Sequence, residues 1–177
     1  MSGELNGVCC AVSGRKMVSV LAARLPVVTY ESSVTVSAPV ELQIDLRWGD
    51  MDINGHVNNV QYARLLEEAR VRALTRWFPA ETNQLRPLVV RQDIEFRAPL
   101  VYTGEPTTVR MAVTRVGGSS YTLAATITAA DGTLSVVAST VMVMVDPHTG
   151  RPSPMPQEAR ALLEEHRGEL PALRAQG

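Results

Sequence analysis

The apolar residues of this chain change their spacing twice, and that change limits the fold more than any other feature. VELQIDLR, Val40 to Arg47, alternates strictly: Val40, Leu42, Ile44 and Leu46 face one way, Glu41, Gln43, Asp45 and Arg47 the other. Period two marks a strand with one buried face. VNNVQYARLLEEARVRALTRWF then shifts to steps of three to four, with Val60, Ala63, Leu66, Ala69 or Arg70, Ala73 or Leu74 and Trp77 in register. Ala, Leu, Glu and Arg dominate this run, and all are good helix formers. Asn58 or Asn59 is placed to cap its start. Pro79 is placed to end it, because the residue before a proline avoids helical dihedrals. The segment reads as one helix of about five turns.

After it the period returns to two. LVVRQDIEFR sets Val90, Ile94 and Phe96 on one face. TTVRMAVTRV sets Val109, Met111 and Val113 against Thr108, Arg110, Ala112 and Thr114, and SYTLAATIT sets Tyr121, Leu123, Ala125 and Ile127 against threonines and Ala124. TLSVVASTVMVMV is almost wholly apolar or β-branched, as a strand covered on two faces should be. Gly117-Gly118 and Asp131-Gly132 join these runs and signal hairpins, since a type I′ turn needs positive φ at both central residues. Beyond HTGRPSPMP, the stretch PQEARALLEEHRGEL reads as a short surface helix with Pro156 in its first turn.

The order is strand, long helix, four strands. One helix can cover only one face of such a sheet. The expected fold is therefore α+β: a curled antiparallel five-stranded sheet wrapped around one long helix, with an oligomer interface supplying the remaining cover. The domain is expected over residues 39–150. Residues 1–38 are expected to form a peripheral or poorly ordered extension, and residues 151–177 a C-terminal loop and short helix.

A length of 177 residues suits one such domain. The net charge of -1 provides no field to draw in nucleic acid or an acidic membrane, and 5% aromatic residues argue against base-stacking platforms. Residues 1–38 carry too little net positive charge for a nucleic-acid arm. Cys9 and Cys10 are adjacent and are the only cysteines, which excludes a disulfide-stapled secreted domain and favours a reducing compartment. The apolar run Met17–Val28 contains Arg24 and Pro26 and falls short of the roughly twenty residues of a bilayer span. A cytoplasmic location is expected, with no membrane and no nucleic-acid partner.

Chemistry concentrates in RWGDMDINGH. Asp50, Asp52, Asn54 and His56 crowd the loop that feeds the long helix. The first turn of a helix offers unpaired N–H groups and a partial positive charge. A carbonyl placed there would be polarised, and the oxyanion formed on attack would be stabilised. A carboxylate beside it could activate water or attack directly. Singly, each residue has a plainer use: Asp50 or Asp52 as a cap, Asn54-Gly55 as a turn, Asn58 and Asn59 as caps. The alternation Asp-x-Asn-x-His ahead of a long helix is what points to catalysis. Glu67 and Glu68 could offer a second carboxylate, but Arg64–Glu68 and Glu68–Arg72 are i,i+4 pairs of a solvated helix face. His148 and His166 lie far from the loop and no other ligand set is spaced for a metal. No nucleophile elbow, P-loop or dinucleotide motif is present. Neither metal nor cofactor is expected.

GDMDINGHVNNVQYARLLEEAR resembles the signature of the 4-hydroxybenzoyl-CoA thioesterase branch of the hotdog superfamily. Its D-x-N-x-H-V-N-N form is also similar to plant acyl-ACP thioesterases. LVVRQDIEFRAPL, RVGGSSYTLAATI and VDPHTGRPSPMP fit the family more loosely, so the resemblance covers about residues 40 to 157. It implies a hotdog fold and hydrolysis of an acyl-CoA, or alternatively an acyl-ACP, to the free acid. It assigns Asp52 as catalytic carboxylate, base or nucleophile, with Asn54 and His56 positioning substrate or water. It implies that the backbone amides from Gly55 through Val57 and Asn58 to Asn59 hold the carbonyl, and that Tyr62 lies near the acyl pocket. Arg91, Ser119 and Ser120 match positions that approach pantetheine or nucleotide. It implies a homodimer or tetramer with sites across the interface. The plant enzymes carry two such domains and a further glutamate, for which this chain has no match. Two other readings share the fold. In hydratases and dehydratases a proline-containing turn follows the histidine, whereas Val57-Asn58-Asn59 follows His56 here. A non-catalytic acyl-CoA-binding module normally lacks the carboxylate.

Overall fold

The computed structural model describes residues 39–78 and 87–174. The N-terminal extension, with Cys9, Cys10 and the Met17–Val28 run, lies outside these residues, as does Pro79. Strand β1 (Val40–Ile44) leads through a 3-10 turn at Trp48–Asp50 to helix α1 (Asn59–Trp77). Strands β2 (Pro87–Phe96), β3 (Thr107–Val116), β4 (Ser120–Thr128) and β5 (Leu134–Met144) follow, then helix α2 (Gln157–Glu165). The strands form one antiparallel sheet in the order β1-β3-β4-β5-β2. A curled five-stranded sheet with a long helix on its inner face is the hotdog fold.

The alternation of each strand builds that inner face. Val109, Ile127, Val136 and Phe96 are cross-strand partners in one row, and Met111, Ala125, Ala138 and Ile94 in the next. Against these rows α1 buries Tyr62, Leu65, Leu66, Ala69, Ala73 and Trp77. Each fully buried Leu contributes roughly 1.5–3 kcal/mol. The buried stripe is rotated from the expected one: Val60 is exposed, while Tyr62 and Leu65, which bring more apolar area, turn inward. Asn58 is the N-cap, its side chain accepting the Val60 N–H at 3.1 Å. Phe78 closes the helix in an extended conformation, as a residue preceding a proline should. α1 packs mainly on β1 and β3 and touches β2 through Tyr62 and Phe96.

Four expectations need correction. β1 stops at Ile44 because its partner β3 begins at Thr107, opposite Ile44; Leu46 is still buried. β2 is an edge strand with Leu88, Val89, Val90 and Phe96 exposed. Val89 pairs with Met142 and Arg91 with Val141, so Val90 is a bulge and leaves the face shared by Ile94 and Phe96. Neither hairpin link is a type I′ turn. Gly117 and Gly118 both lack positive φ, and Gly117 serves close approach, since a Cβ there would meet the Ser120 carbonyl oxygen at 3.2 Å. In the β4–β5 link Gly132 has positive φ, at +87°, but it donates to Ala129 O, and Ala129 donates to Thr133 O, so Asp131 and Gly132 are not the two central residues of the turn. Finally, Pro156 is the N-cap of α2 rather than part of its first turn.

The C-terminal segment supplies cover expected from an oligomer. α2 buries Ala159 and Leu163, and Arg160 donates to Gly117 O at 2.7 Å. The His166 ring stacks on Trp77, centroids 4.7 Å apart. Val113 N–H donates to His166 O, and Gly168 N–H to Val113 O, so the chain pairs alongside β3. It then reaches β2, where Arg97 donates to Ala172 O and the Arg174 N–H to Glu95. Glu95 sits opposite Val137 on the outer face, so residues 168–174 cross that face; Ala112, Thr126 and Val137, which point outward, are buried. Among the described residues no helix is long and apolar enough to cross a membrane.

Candidate active site

The two aspartates of the loop have different surroundings. Asp50 is only 3% exposed. Its carboxylate accepts the Arg47 N–H at 2.8 Å and meets the Arg64 guanidinium at 2.6 Å, and its carbonyl accepts the Asn58 N–H at 2.9 Å. Asp50 therefore ties the 3-10 turn to α1, and Arg64 in turn reaches Glu68 at 3.4 Å. Glu68 also pairs with Arg72, as the i,i+4 spacing implies.

Asp52 stands on a small hairpin. Met51 bridges Val57, Asp52 N–H donates to His56 O at 2.9 Å, and Gly55 N–H donates to Asp52 O at 3.1 Å. The turn needs Gly55 at φ +79°, a region that other residues enter at a cost. The hairpin sets Asp52 and His56 side by side, with Oδ1 and Nδ1 3.9 Å apart and side chains 20% and 39% exposed. Asn54 donates its N–H to Asp52 Oδ1 at 2.7 Å, and its amide lies 3.4 Å from Oδ2. Its contacts are with the carboxylate, and it lines neither neighbouring cleft.

One cleft, of about 490 Å³, is lined by Asp52, His56, Val57, Asn59, Tyr62 and Phe96, with Arg97, Ala98 and Pro99. On the other side of the hairpin a second, of about 770 Å³, brings Trp48, Ile53 and Tyr102 around Asp52. Of the amides from Gly55 to Asn59, three are committed: Gly55 to Asp52 O, Val57 to Leu100 O at 2.7 Å, and Asn58 to Asp50 O. The N–H groups of His56 and Asn59 have no acceptor among the described residues. That of Asn59 is the first of α1, where the helix dipole adds positive charge. Tyr62 packs edge-on against Phe96 at 5.1 Å and accepts the Leu100 N–H at 3.1 Å. Burial raises its pKa, the Leu100 bond lowers it and the Asp52 charge raises it further. The hydroxyl therefore stays protonated, with its own hydrogen free for the cleft.

Asp52, His56, Val57, Asn59 and Tyr62 thus come together. Arg91, Ser119 and Ser120 do not join them within the chain. Arg91 lies opposite Val141 on the outer face and pairs with Asp93 at 2.8 Å. Ser119 accepts the Met144 N–H in the β3–β4 link, and Ser120 begins β4. The sequence reading had not placed Phe96, Arg97, Trp48 or Tyr102 at the site. Phe96 was legible only as a strand-face residue, and Trp48 and Tyr102 carried no periodic signal. Among the described residues no three His, Cys, Asp or Glu side chains group to hold a metal.

Residues 46–163 match the model of the thioesterase-like superfamily, and the chain belongs to that family. Comparison with curated proteins gives no significant match. Among solved structures, a Thermus thermophilus thioesterase complexed with coenzyme A and Zn is similar at 28% identity and TM-score 0.63, over 72% of this chain and 98% of that one. The PA5185 protein of Pseudomonas aeruginosa is similar at 27% identity and TM-score 0.65, over 74% and 93%. The PA2801 protein of the same organism, assigned to the thioesterases, reaches 30% identity and TM-score 0.62, over 71% and 98%.

Proposed function

We propose that this chain is an acyl-CoA thioesterase in which Asp52 is the general base. The observation that carries the reading is that Asp52, its side chain 20% exposed, and Asn59, whose N–H has no acceptor among the described residues, line the same cleft at the start of α1. The thioester carbonyl oxygen would take the Asn59 N–H. A water held between Asp52 and the carbonyl carbon would give its proton to Asp52 as its oxygen attacks. The oxyanion that forms is met by the amide and the helix dipole, a contribution typically worth about 3 kcal/mol per donor. Collapse breaks the C–S bond; the acid and the CoA thiolate leave, and the thiolate is protonated from Asp52 or solvent. His56, beside Asp52, orients the water, and Tyr62 bounds the acyl side.

The CoA complex of the T. thermophilus relative supports CoA as the thiol. Residues 39–150 would carry the site, with 151–174 completing the outer face. A second copy would pair along β2, whose open edge exposes Leu88, Val89 and Val90. The test is a thiol-release assay over short, medium, long and aromatic acyl-CoAs; release from none of them would sink the reading.

A further inference from the structure

A further cleft is not used by the reading above. It measures about 400 Å³ and lies between the later turns of α1 and the first residues of β2. Leu74, Phe78, Val89, Met142 and Met144 make it largely apolar. Its polar lining is Glu67, Thr75, whose hydroxyl donates to Val71 O, and two further donors, Arg70 and Tyr121. The Arg70 side chain is only 10% exposed, and Tyr121 is 1% exposed. Glu67, two-thirds exposed and also lining the cleft, forms an ion pair with Arg70 at 3.8 Å, too long for a hydrogen bond. Neither donor has a hydrogen-bond partner among the described residues.

A mostly buried guanidinium with one long ion pair to an exposed carboxylate keeps most of its five N–H donors available to a second acceptor. An uncharged side chain of similar size would serve helix packing better. Burial, the largest influence on both groups, lowers the Arg70 pKa and raises that of Tyr121, so the tyrosine remains a donor at neutral pH. A charged fork beside a neutral donor matches a carboxylate.

The cleft also lies in line with Asp52. Asn59 and Tyr62 border the Asp52 cleft, and Glu67, Arg70 and Leu74 border this one, on the same helix. Phe96 at one end of β2 and Val89 at the other border the two clefts in the same order. From Asn59 to Arg70 the helix advances about 16 Å at its usual rise per residue, a span that an extended acyl chain can bridge.

We propose that the cleft between α1 and β2 selects acyl thioesters whose chain ends in a carboxylate, with the thioester at Asp52 and the distal carboxylate on Arg70 and Tyr121. The proposal rests on the hydrolase reading for its Asp52 end. It is tested by comparing kcat/KM for plain acyl-CoA and ω-carboxyacyl-CoA of equal length in the full chain and in the Arg70→Met and Arg70→Lys variants. The wild type should favour the ω-carboxy substrate by about tenfold or more, the effect of one charged hydrogen-bonded pair. Arg70→Met should abolish that preference without lowering Tm, and Arg70→Lys should keep part of it. Calorimetric binding of both thioesters to Asp52→Asn separates the two readings. If no thioester is hydrolysed but the ω-carboxy form binds more tightly, and does so only with Arg70 present, the hydrolase reading falls and this one stands. Equal turnover and equal binding of the two thioesters in the wild type would overturn it. So would an Arg70→Met chain that changes oligomeric state with its preference intact, because Arg70 would then belong to a subunit contact.

Discussion

The Asp50 carboxylate and the Arg64 guanidinium meet at 2.6 Å with Asp50 almost wholly buried, and this pair separates the roles of the two loop aspartates. Asp50 spends its acceptors on Arg47 and Arg64, whereas Asp52, two residues on, has among the described residues only its neighbour Asn54 as a hydrogen-bond donor and opens on the cleft. One holds the start of α1 in place; the other is available to a substrate.

Asp50→Ala should therefore destabilise the fold by about 3 kcal/mol, because it strands the partly buried Arg64 charge and the Arg47 N–H. Urea unfolding measures this. A midpoint equal to that of the wild type would remove Asp50 from its structural role.

Asp52→Asn should behave in the opposite way. Asn can still accept the Asn54 N–H, so Tm should hold, while thiol release should fall by about a hundredfold or more, as for a positioned general base. In 18O-water a single turnover should label the acid product and not Asp52; label in the aspartate would make it the nucleophile.

Asn59→Pro probes the oxyanion donor. Proline is well tolerated at the first helical position, and Asn58 before it already has extended dihedrals that proline accepts. The variant should keep its helix by circular dichroism and lose about a hundredfold in kcat. Full activity would place the carbonyl elsewhere.

Val90→Lys puts a charge on the bulge of the open β2 edge, where the valine is exposed. Sedimentation should show a shift from dimer to monomer, with thiol release falling in parallel. A wild-type chain that is monomeric and active would dispose of the paired-edge arrangement.

His166 gives a pH dependence. Burial against Trp77 lowers its pKa from 6.5, with Glu165 opposing the shift. The unfolded chain thus binds the proton more readily than the folded one. The stabilisation is complete above pH 6.5 and is lost as pH falls through the lower, folded value. Tm should decline from pH 7 towards 5, before the carboxylates titrate, and His166→Phe should flatten that decline while keeping the stack on Trp77.

The elements that could be read from the sequence are those with one neighbour on one side. Leu42, Ile44 and Leu46 alternate into the core as VELQIDLR implies, and β3 and β4 follow their period because only their inner residues face α1. What was not legible depends on pairing between distant segments. Val90 becomes a bulge through the register with β5, and Arg70 is buried by where α1 lies over the sheet. The Asp-x-Asn-x-His spacing located the hairpin, but no local signal says that Val57 gives its N–H to Leu100 while Asn59 keeps its own. Strand parity alone already separates Arg91 from the face of Ile94 and Phe96.

The stitching of residues 167–174 to β3 and then to β2 has a consequence for how the molecule is made. Val137 and Thr126 keep an apolar or half-satisfied surface open to solvent until residues 167–174 dock on the sheet. A nascent chain stopped near residue 163 would hold every strand and yet remain sticky on its outer side. Chaperone capture and aggregation should then concentrate in the interval before this segment docks, and deleting it should harm yield well before it alters the chemistry at the far end of α1.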